Sequence, residues 1–280
     1  MPSIKEHCPA KINLNLHVTG RRNDGYHNLS SLVCFAKDAG DVIEIYSADE
    51  FKFHVRGEFA NNIPPLKNSV IQAAQWLADR MGKRLDCAIT LHKSLPVAAG
   101  IGGGSADAAG VIRALITFWD LNYTMVINDI IHDSFILGAD VPVCLKSRVT
   151  QVTGAGDVLH DTPALSELYA VLVNPMKPCA TADVFRNFEN HYSYPIERDG
   201  NIIKYLELTG NELTAAATSL VPDINQRLHA LTDQGAIVSR MSGSGATCFG
   251  IYSQKSSMAK AHTAIAAAHP EWWSAASQLI

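Results

Sequence analysis

Four glycines fall within five residues at Gly100, Gly102, Gly103 and Gly104, broken only by Ile101, and the chain then enters helix-forming sequence. No other stretch limits the backbone so tightly. Glycine reaches positive φ and leaves room for a second backbone or a ligand against main-chain N–H groups. A glycine loop feeding a helix N-terminus gathers unpaired N–H donors at the positive end of a helix dipole, a combination suited to phosphate. The loop lacks the Gly-Lys-Ser/Thr ending of a Walker A sequence, and Ser105 stands where a dinucleotide fingerprint has its third glycine. Ser105 has the chemistry of a helix cap and of an oxygen donor to a metal-bound phosphate. A serine-capped flexible turn is the plain alternative.

Composition narrows the classes. A chain of 280 residues, 47% hydrophobic and 18% charged, suits one large folded domain or two ordinary ones. A net charge of −4 with no long basic run argues against nucleic acid as a partner. Residues 1–9 lack the apolar core of a secretory signal, and no apolar run approaches the roughly 18 residues that span a bilayer. The six cysteines form no Cys-x-x-Cys pair and the 11 histidines show no metal-ligand spacing. This pattern predicts free thiols and a cytoplasmic location, not a disulfide framework or a zinc site.

Residues 8–19 alternate, with Ile12, Leu14, Leu16 and Val18 opposite Lys11, Asn13, Asn15 and His17, which predicts a strand with one buried face. Turn chemistry at Asn23-Asp24-Gly25 leads to Tyr26 and His27. Further strands are predicted at 28–36, 41–47, 51–56 and 86–93, with Pro64 and Pro65 in an interruption. Helices follow at 69–84, 105–119 and 124–138, and strand material at 140–145 and 147–152. The second half predicts strands at 168–173, 236–241 and 247–252, and helices at 181–190, 211–217, 222–234 and 256–268. Strands cluster early, so the expected class is α+β, divided into domains at 1–160 and 161–280.

Several segments carry chemistry, each with an ordinary reading beside it. Lys11 and Asn13 share a strand face, where a lysine is usually a solvated charge. Tyr26 and His27 suit stacking on a flat ligand, or simply close a hairpin. Asp140, between a helix end and Pro142, is either a turn aspartate or a carboxylate aimed into a cleft as base or metal partner. Ser242-Gly-Ser-Gly245 is a glycine-rich hairpin, or a place where another backbone comes close.

In order along the chain, Pro9-Ala-Lys-Ile-Asn13, Pro96-x₃-Gly-Ile-Gly-Gly-Gly-Ser105 and Ser242-Gly-Ser-Gly-Ala246 resemble the three motifs of the GHMP small-molecule kinase superfamily. Thr19-Gly-Arg-Arg-x₂-Gly-Tyr-His27 and Leu137-Gly-Ala-Asp-Val-Pro142 narrow the resemblance to members acting on a cytidine diphosphate-linked methylerythritol. Ala98-Ala99 and Ala106-Asp107 depart from the glycine or serine and Ser-Asn of many relatives. The resemblance implies a two-domain fold, ribosomal-protein-S5-domain-2-like then ferredoxin-like, with the active site in the cleft between them. It implies ATP-dependent phosphorylation of the substrate's 2-hydroxyl, on the non-mevalonate route to isoprenoid precursors.

By the same resemblance, Lys93, Pro96, Gly100, Ile101, Gly102, Gly103, Gly104, Ser105 and Ala106 would bind ATP. Asp140 would orient the hydroxyl and accept its proton, beside Lys11, which keeps the carboxylate ionised and stabilises developing charge. Asn13 would hydrogen-bond substrate, and Tyr26, His27 and Phe185 would hold the cytosine. Mg²⁺ would accompany ATP, held by phosphate oxygens, water and Ser105. The expected partners are these small molecules, with no nucleic acid or membrane, and the chain a monomer or weak homodimer. Three other readings stay open: a GHMP kinase for homoserine, mevalonate or a sugar; a non-catalytic nucleotide-binding module; and a nicotinamide oxidoreductase.

Overall fold

The computed structural model describes residues 3–63, 68–189, 191–196, 198 and 200–280. Pro64 and Pro65 of the anticipated interruption lie outside the described residues. The elements of the first half are β1 (Ile4–Asn13), β2 (His17–Arg21), β3 (His27–Ser47), β4 (Lys52–Arg56), α1 (Ser69–Met81), β5 (Cys87–His92), α2 (Gly103–Phe118), α3 (Tyr123–Asp133) and α4 (Val141–Lys146). There follow β6 (Thr150–Gly154), β7 (Val158–Asp161), β8 (Tyr169–Asn174), α5 (Thr181–Arg186), α6 (Ile202–Leu208), α7 (Thr214–Leu220), α8 (Asp223–Asp233), β9 (Val238–Met241), β10 (Cys248–Tyr252), α9 (Lys255–Ala268) and β11 (Trp273–Gln278).

Packing sorts these residues into two units. One comprises Met1–Ala10, Gly40–Val97 and Gly102–Ser147; the other comprises Lys11–Ala39, Ala98–Ile101 and Arg148–Ile280. The division expected at 160 keeps each half continuous in sequence, whereas this grouping interleaves them. The strands β1 and β3 each contribute residues to both units.

In the first unit the 42–47 end of β3 pairs antiparallel with β5, and β5 pairs parallel with β4. Helix α2 packs on α1 and α4. Its residues from Ala106 to Ile112 are all buried, so it presents no solvent face over nearly two turns. Two glycines allow close approach here. A Cβ at Gly40 would lie 2.5 Å from the Cys8 carbonyl oxygen, and one at Gly110 would collide with the Cys8 sulfur. Gly40 therefore does not end a strand, and the two strands expected at 28–36 and 41–47 are one continuous β3.

In the second unit the 29–33 stretch of β3 pairs antiparallel with β6, which pairs with β7, and β2 pairs with the start of β3. A separate antiparallel sheet has the order β11-β8-β10-β9. Numbered along the chain, those strands stand 4-1-3-2, with α8 and α9 packed against them. That is the ferredoxin-like order expected of the second half. The α+β class holds for the whole chain.

Further sequence expectations need correction. The run at 140–145 is the helix α4, not a strand. Its apolar, β-branched composition reads as strand, but Pro142 falls in the first turn, where proline's missing N–H costs nothing and its fixed φ suits a helix. The single strand expected at 8–19 is two, β1 ending at Asn13 and β2 starting at His17; β1 is buried on both faces from Cys8 to Asn13, and Lys11, Asn13, Asn15 and His17 are as enclosed as their apolar neighbours. The elements β7 and β11 carry no strong apolar period, and α6, whose buried Ile202, Tyr205 and Leu206 do stand at helical spacing, is not among the expected helices either.

Candidate active site

In the second unit the segment at 11–13, the start of the glycine loop at 98–101 and the segment at 242–247 knot together. The Lys11 N–H donates to the Ile101 carbonyl at 2.9 Å, and the Thr247 N–H to the Ala99 carbonyl at 3.1 Å. The Asn13 N–H donates to Ser242 Oγ at 3.1 Å, and that hydroxyl donates to the Gly100 carbonyl at 3.1 Å. This crossing leaves no room for side chains. A Cβ at Gly100, where φ is +74°, would collide with the Gly245 carbonyl and lie 2.7 Å from that of Ser242. One at Gly243 would lie 2.7 Å from the Gly100 carbonyl. The segment at 242–245 is thus a place of close backbone approach, not an isolated hairpin.

Lys11 is only 4% exposed, which removes its reading as a solvated charge. Asn13 donates from Nδ2 to Ser31 Oγ at 2.8 Å, while its Oδ1 is buried and accepts nothing among the described residues. A buried amide oxygen without a donor is costly and marks a position that a ligand donor would satisfy.

His27 and Phe185 are also brought together in this unit. Their rings stack at 4.9 Å with an 18° interplanar angle, and Phe188 stands edge-on to His27 at 6.3 Å. Tyr26 precedes them on an exposed turn, held by its N–H donating to Asp24 Oδ1 at 3.1 Å. It is 57% exposed.

In the first unit Gly102, at φ +62°, is the N-cap of α2 and supplies no side-chain cap. Gly103 and Gly104 are the first helical residues, and Ser105 comes third, inside the first turn. The expectation that Ser105 caps the helix therefore fails: a left-handed cap favours glycine, and it falls three residues earlier. Uncapped N–H groups at this helix start are the donors that a phosphate would use. A Cβ at Gly138 would lie 3.8 Å from Ser105 Oγ, so Ser105 adjoins the turn that leads to Asp140. Asp140 is the half-buried N-cap residue of α4, and its carbonyl accepts from Cys144 N–H at 3.1 Å. Pro96 and Ala106 are buried beside the loop.

Lys93 lies beneath the loop with its ammonium 3.2 Å from where a Gly103 Cβ would stand. It donates to Asp41 and, at 2.7 Å, to Asp107; all three residues are buried. The other Asp41 oxygen accepts from Ser94 N–H at 2.6 Å and Leu95 N–H at 2.8 Å. Burial opposes the Lys93 charge, but the Asp107 and Asp41 carboxylates outweigh it and raise its pKa. One cation cannot balance two carboxylates. Burial accordingly pushes Asp107 up to about 8, against the pull of Lys93, and its Oδ1 has no hydrogen-bond partner among the described residues. The Lys93 charge is thus engaged with carboxylates under the loop. Nothing in the sequence around Asp41 signals this role.

Among the described residues no group of three or more His, Cys, Asp or Glu side chains is arranged to hold a metal ion. No described helix is long and apolar enough to cross a membrane. All six cysteines are buried thiols.

The chain matches known families along both halves. Residues 68–148 match the GHMP kinases N terminal domain and residues 197–271 the GHMP kinases C terminal domain. The 4-diphosphocytidyl-2-C-methyl-D-erythritol kinase of Paramagnetospirillum magneticum is 40% identical, with 100% of each chain covered. That of Brucella melitensis is 44% identical over 99% of this chain and 95% of its own. This chain belongs to the 4-diphosphocytidyl-2-C-methyl-D-erythritol kinase family. A crystal structure of a 4-(cytidine 5'-diphospho)-2C-methyl-D-erythritol kinase superposes with a TM-score of 0.81 at 28% identity, covering 98% of both chains. Members of this GHMP kinase family are ATP-dependent phosphotransferases, and the α+β fold described above is theirs.

Proposed function

We propose that this chain transfers the γ-phosphoryl group of ATP to the 2-hydroxyl of 4-diphosphocytidyl-2-C-methyl-D-erythritol. One observation carries this reading furthest: the segment bearing Lys11 and Asn13 is tied by direct hydrogen bonds to both the glycine loop and the 242–247 loop. In the reaction the substrate O–H bond breaks and its proton passes to Asp140. The freed oxygen bonds to the γ-phosphorus, and the bond from that phosphorus to the ADP oxygen breaks. Phosphoryl transfer asks a protein mainly for positioning and charge stabilisation. Lys11 supplies positive charge, and Asn13 Oδ1 accepts from a substrate hydroxyl. Uncapped N–H groups at Gly102–Ser105 hold the phosphates, with Lys93, Pro96, Gly100, Ile101 and Ala106 shaping the loop around them. Tyr26, His27 and Phe185 hold the cytosine.

Mg²⁺, when bound with ATP, neutralises phosphate charge. The residues present suit an ion held mainly by phosphate oxygens and water, with the Ser105 hydroxyl as the protein donor, since no described carboxylate cluster competes for it. The buried thiols suit a reducing compartment, and we place the enzyme in the cytoplasm.

An ADP-release assay with the cytidyl substrate beside homoserine and mevalonate tests the proposal. Turnover is expected only with the cytidyl compound. Lys11→Ala and Asp140→Ala should each abolish it, while ATP binding measured by calorimetry persists. Near-normal kcat in either variant would overturn the role assigned to that residue.

A further inference from the structure

His27 opens β3 and Phe185 lies on α5, but the aromatic residues that continue this wall lie beyond that short helix. Phe185 ends near the C-terminus of the six-residue α5, and Phe188 and Tyr192 follow on loop, their rings 6.5 Å apart. Phe188 belongs to the buried core of this unit and Phe185 packs against that core, while Phe188 and Tyr192 also line a cavity of about 520 Å³ together with Ser193 and Glu212. The core holds Phe185 and Phe188 from one side, and the stretch that follows them is fixed by polar contacts.

The structure supplies a polar clasp at the next residue. Ser193 donates its N–H to the Val18 carbonyl at 3.1 Å and its hydroxyl to Glu212. His17 Nδ1 lies 2.9 Å from the Ser193 hydroxyl and 3.1 Å from Glu212 Oε1. The other Glu212 oxygen accepts from the Val18 N–H at 2.6 Å. Glu212 is itself fixed by its backbone, its N–H donating to the Leu16 carbonyl at 3.0 Å. One carboxylate therefore ties β2 to the stretch that carries the aromatic wall. The strand β2 in turn pairs with β3, setting Arg21 opposite His27. Charge-assisted hydrogen bonds of this kind are about twice as strong as neutral ones, and both oxygens are used.

We infer that Glu212, acting through Ser193 and His17, is a positioning residue that holds Phe185, Phe188 and Tyr192 against His27 and so sets affinity for the cytidine end of the substrate. The inference rests on the assignment of cytosine to Tyr26, His27 and Phe185. Neither Ser193 nor Glu212 is among the residues assigned to the base. Their removal should act on binding of one substrate and leave the other untouched.

The test uses Ser193→Ala and Glu212→Gln, with CDP as the binding probe and the cytidyl substrate and ATP in steady-state kinetics. Losing the hydroxyl or the charge should weaken CDP binding and raise the cytidyl KM by about tenfold, the scale of one charge-assisted hydrogen bond. The ATP KM and the kcat at saturation should stay within about twofold, which a general loss of folding would not allow. Ser193→Thr keeps the hydroxyl and should restore CDP binding. Ser193→Ala keeps the inference testable if Glu212→Gln does not fold, because the serine side chain is small and lies on a loop. His27→Ala and Phe185→Ala run beside them as controls on the cytosine assignment. If those two weaken CDP binding and the clasp variants do not, the clasp is wrong and the cytosine site stands. Unchanged CDP binding in all four would overturn both, and an equal rise in the ATP KM would overturn the positioning role.

Discussion

At the scale of the residue, the glycine loop is less a spacer than a fitted part. Gly100 is at positive φ and its missing side chain is the space occupied by two carbonyls of the 242–245 segment. Gly100→Ala should destabilise the protein by about 3 kcal/mol, since left-handed strain and overpacking each cost roughly 1–3 kcal/mol. A urea titration reads this directly, and an unchanged midpoint would mean the two backbones give way. Asp107 makes a second case. Its folded pKa of about 8 lies far above the ordinary carboxylate value, so folding favours the protonated form. Its contribution to stability is fully present below the unfolded pKa and is lost as pH rises toward 8. Asp107→Asn mimics the protonated state and should unfold at an increasingly higher temperature than the parent as pH goes from 5 to 8. A temperature gap that does not change over that range would place the uncompensated charge elsewhere. The sequence showed the glycines and could not show what they approach, because the partner segment lies more than a hundred residues away. Lys11 became legible only with the motifs around it, since a strand lysine taken alone reads as solvated.

At the scale of the element, the helix start at 102–105 depends on what lies beneath it. Asp41 fixes Lys93 through its side chain and the two following residues through their N–H groups. Breaking a buried charge pair by removing one partner costs about 3–5 kcal/mol, and here two amides lose their acceptor as well. Asp41→Ala should therefore lower the urea midpoint sharply and raise the KM for ATP more than that for the cytidyl substrate. Equal effects on the two KM values would show that Asp41 supports the whole site and not the loop. Periodicity located most elements, and it failed for identifiable reasons. The strand β1 follows a period of two, yet from Cys8 to Asn13 its polar face is enclosed, because burial on the second face depends on neighbours that a local pattern does not contain. Helix α4 is short enough for its valines to outweigh a proline that helices tolerate in the first turn. The Glu212 clasp gave no local signal at all. It joins residues 17, 193 and 212, none of which belongs to a recognisable motif.

At the scale of the whole molecule, folding does not respect the order of the chain. The core of the second unit contains Leu16 and Val18 together with Val171, Val173 and Leu213. Its β6 pairs with residues 29–33 of β3. Arg240 is 8% exposed, and burial lowers its pKa to about 10. It donates at 2.5–2.6 Å to the carbonyls of Leu14, Leu206 and Thr209. A fragment covering 161–280 retains every strand of the 4-1-3-2 sheet but loses Leu16, Val18 and the Leu14 carbonyl. Each buried Leu or Val contributes roughly 1.5–3 kcal/mol, and an unsatisfied buried donor costs about 1–3 kcal/mol more. Those losses are comparable to the whole stability of an ordinary domain, about 5–15 kcal/mol. The fragment should therefore keep helical and sheet signals in far-UV circular dichroism, bind a hydrophobic dye, and melt without a cooperative transition. Adding back the segment at 11–39 on a flexible linker should restore cooperativity, because it returns Leu16, Val18 and the Leu14 carbonyl together. A sharp two-state transition in 161–280 alone would show instead that its own sheet and helices suffice, and that the N-terminal segment was a late addition to a finished core.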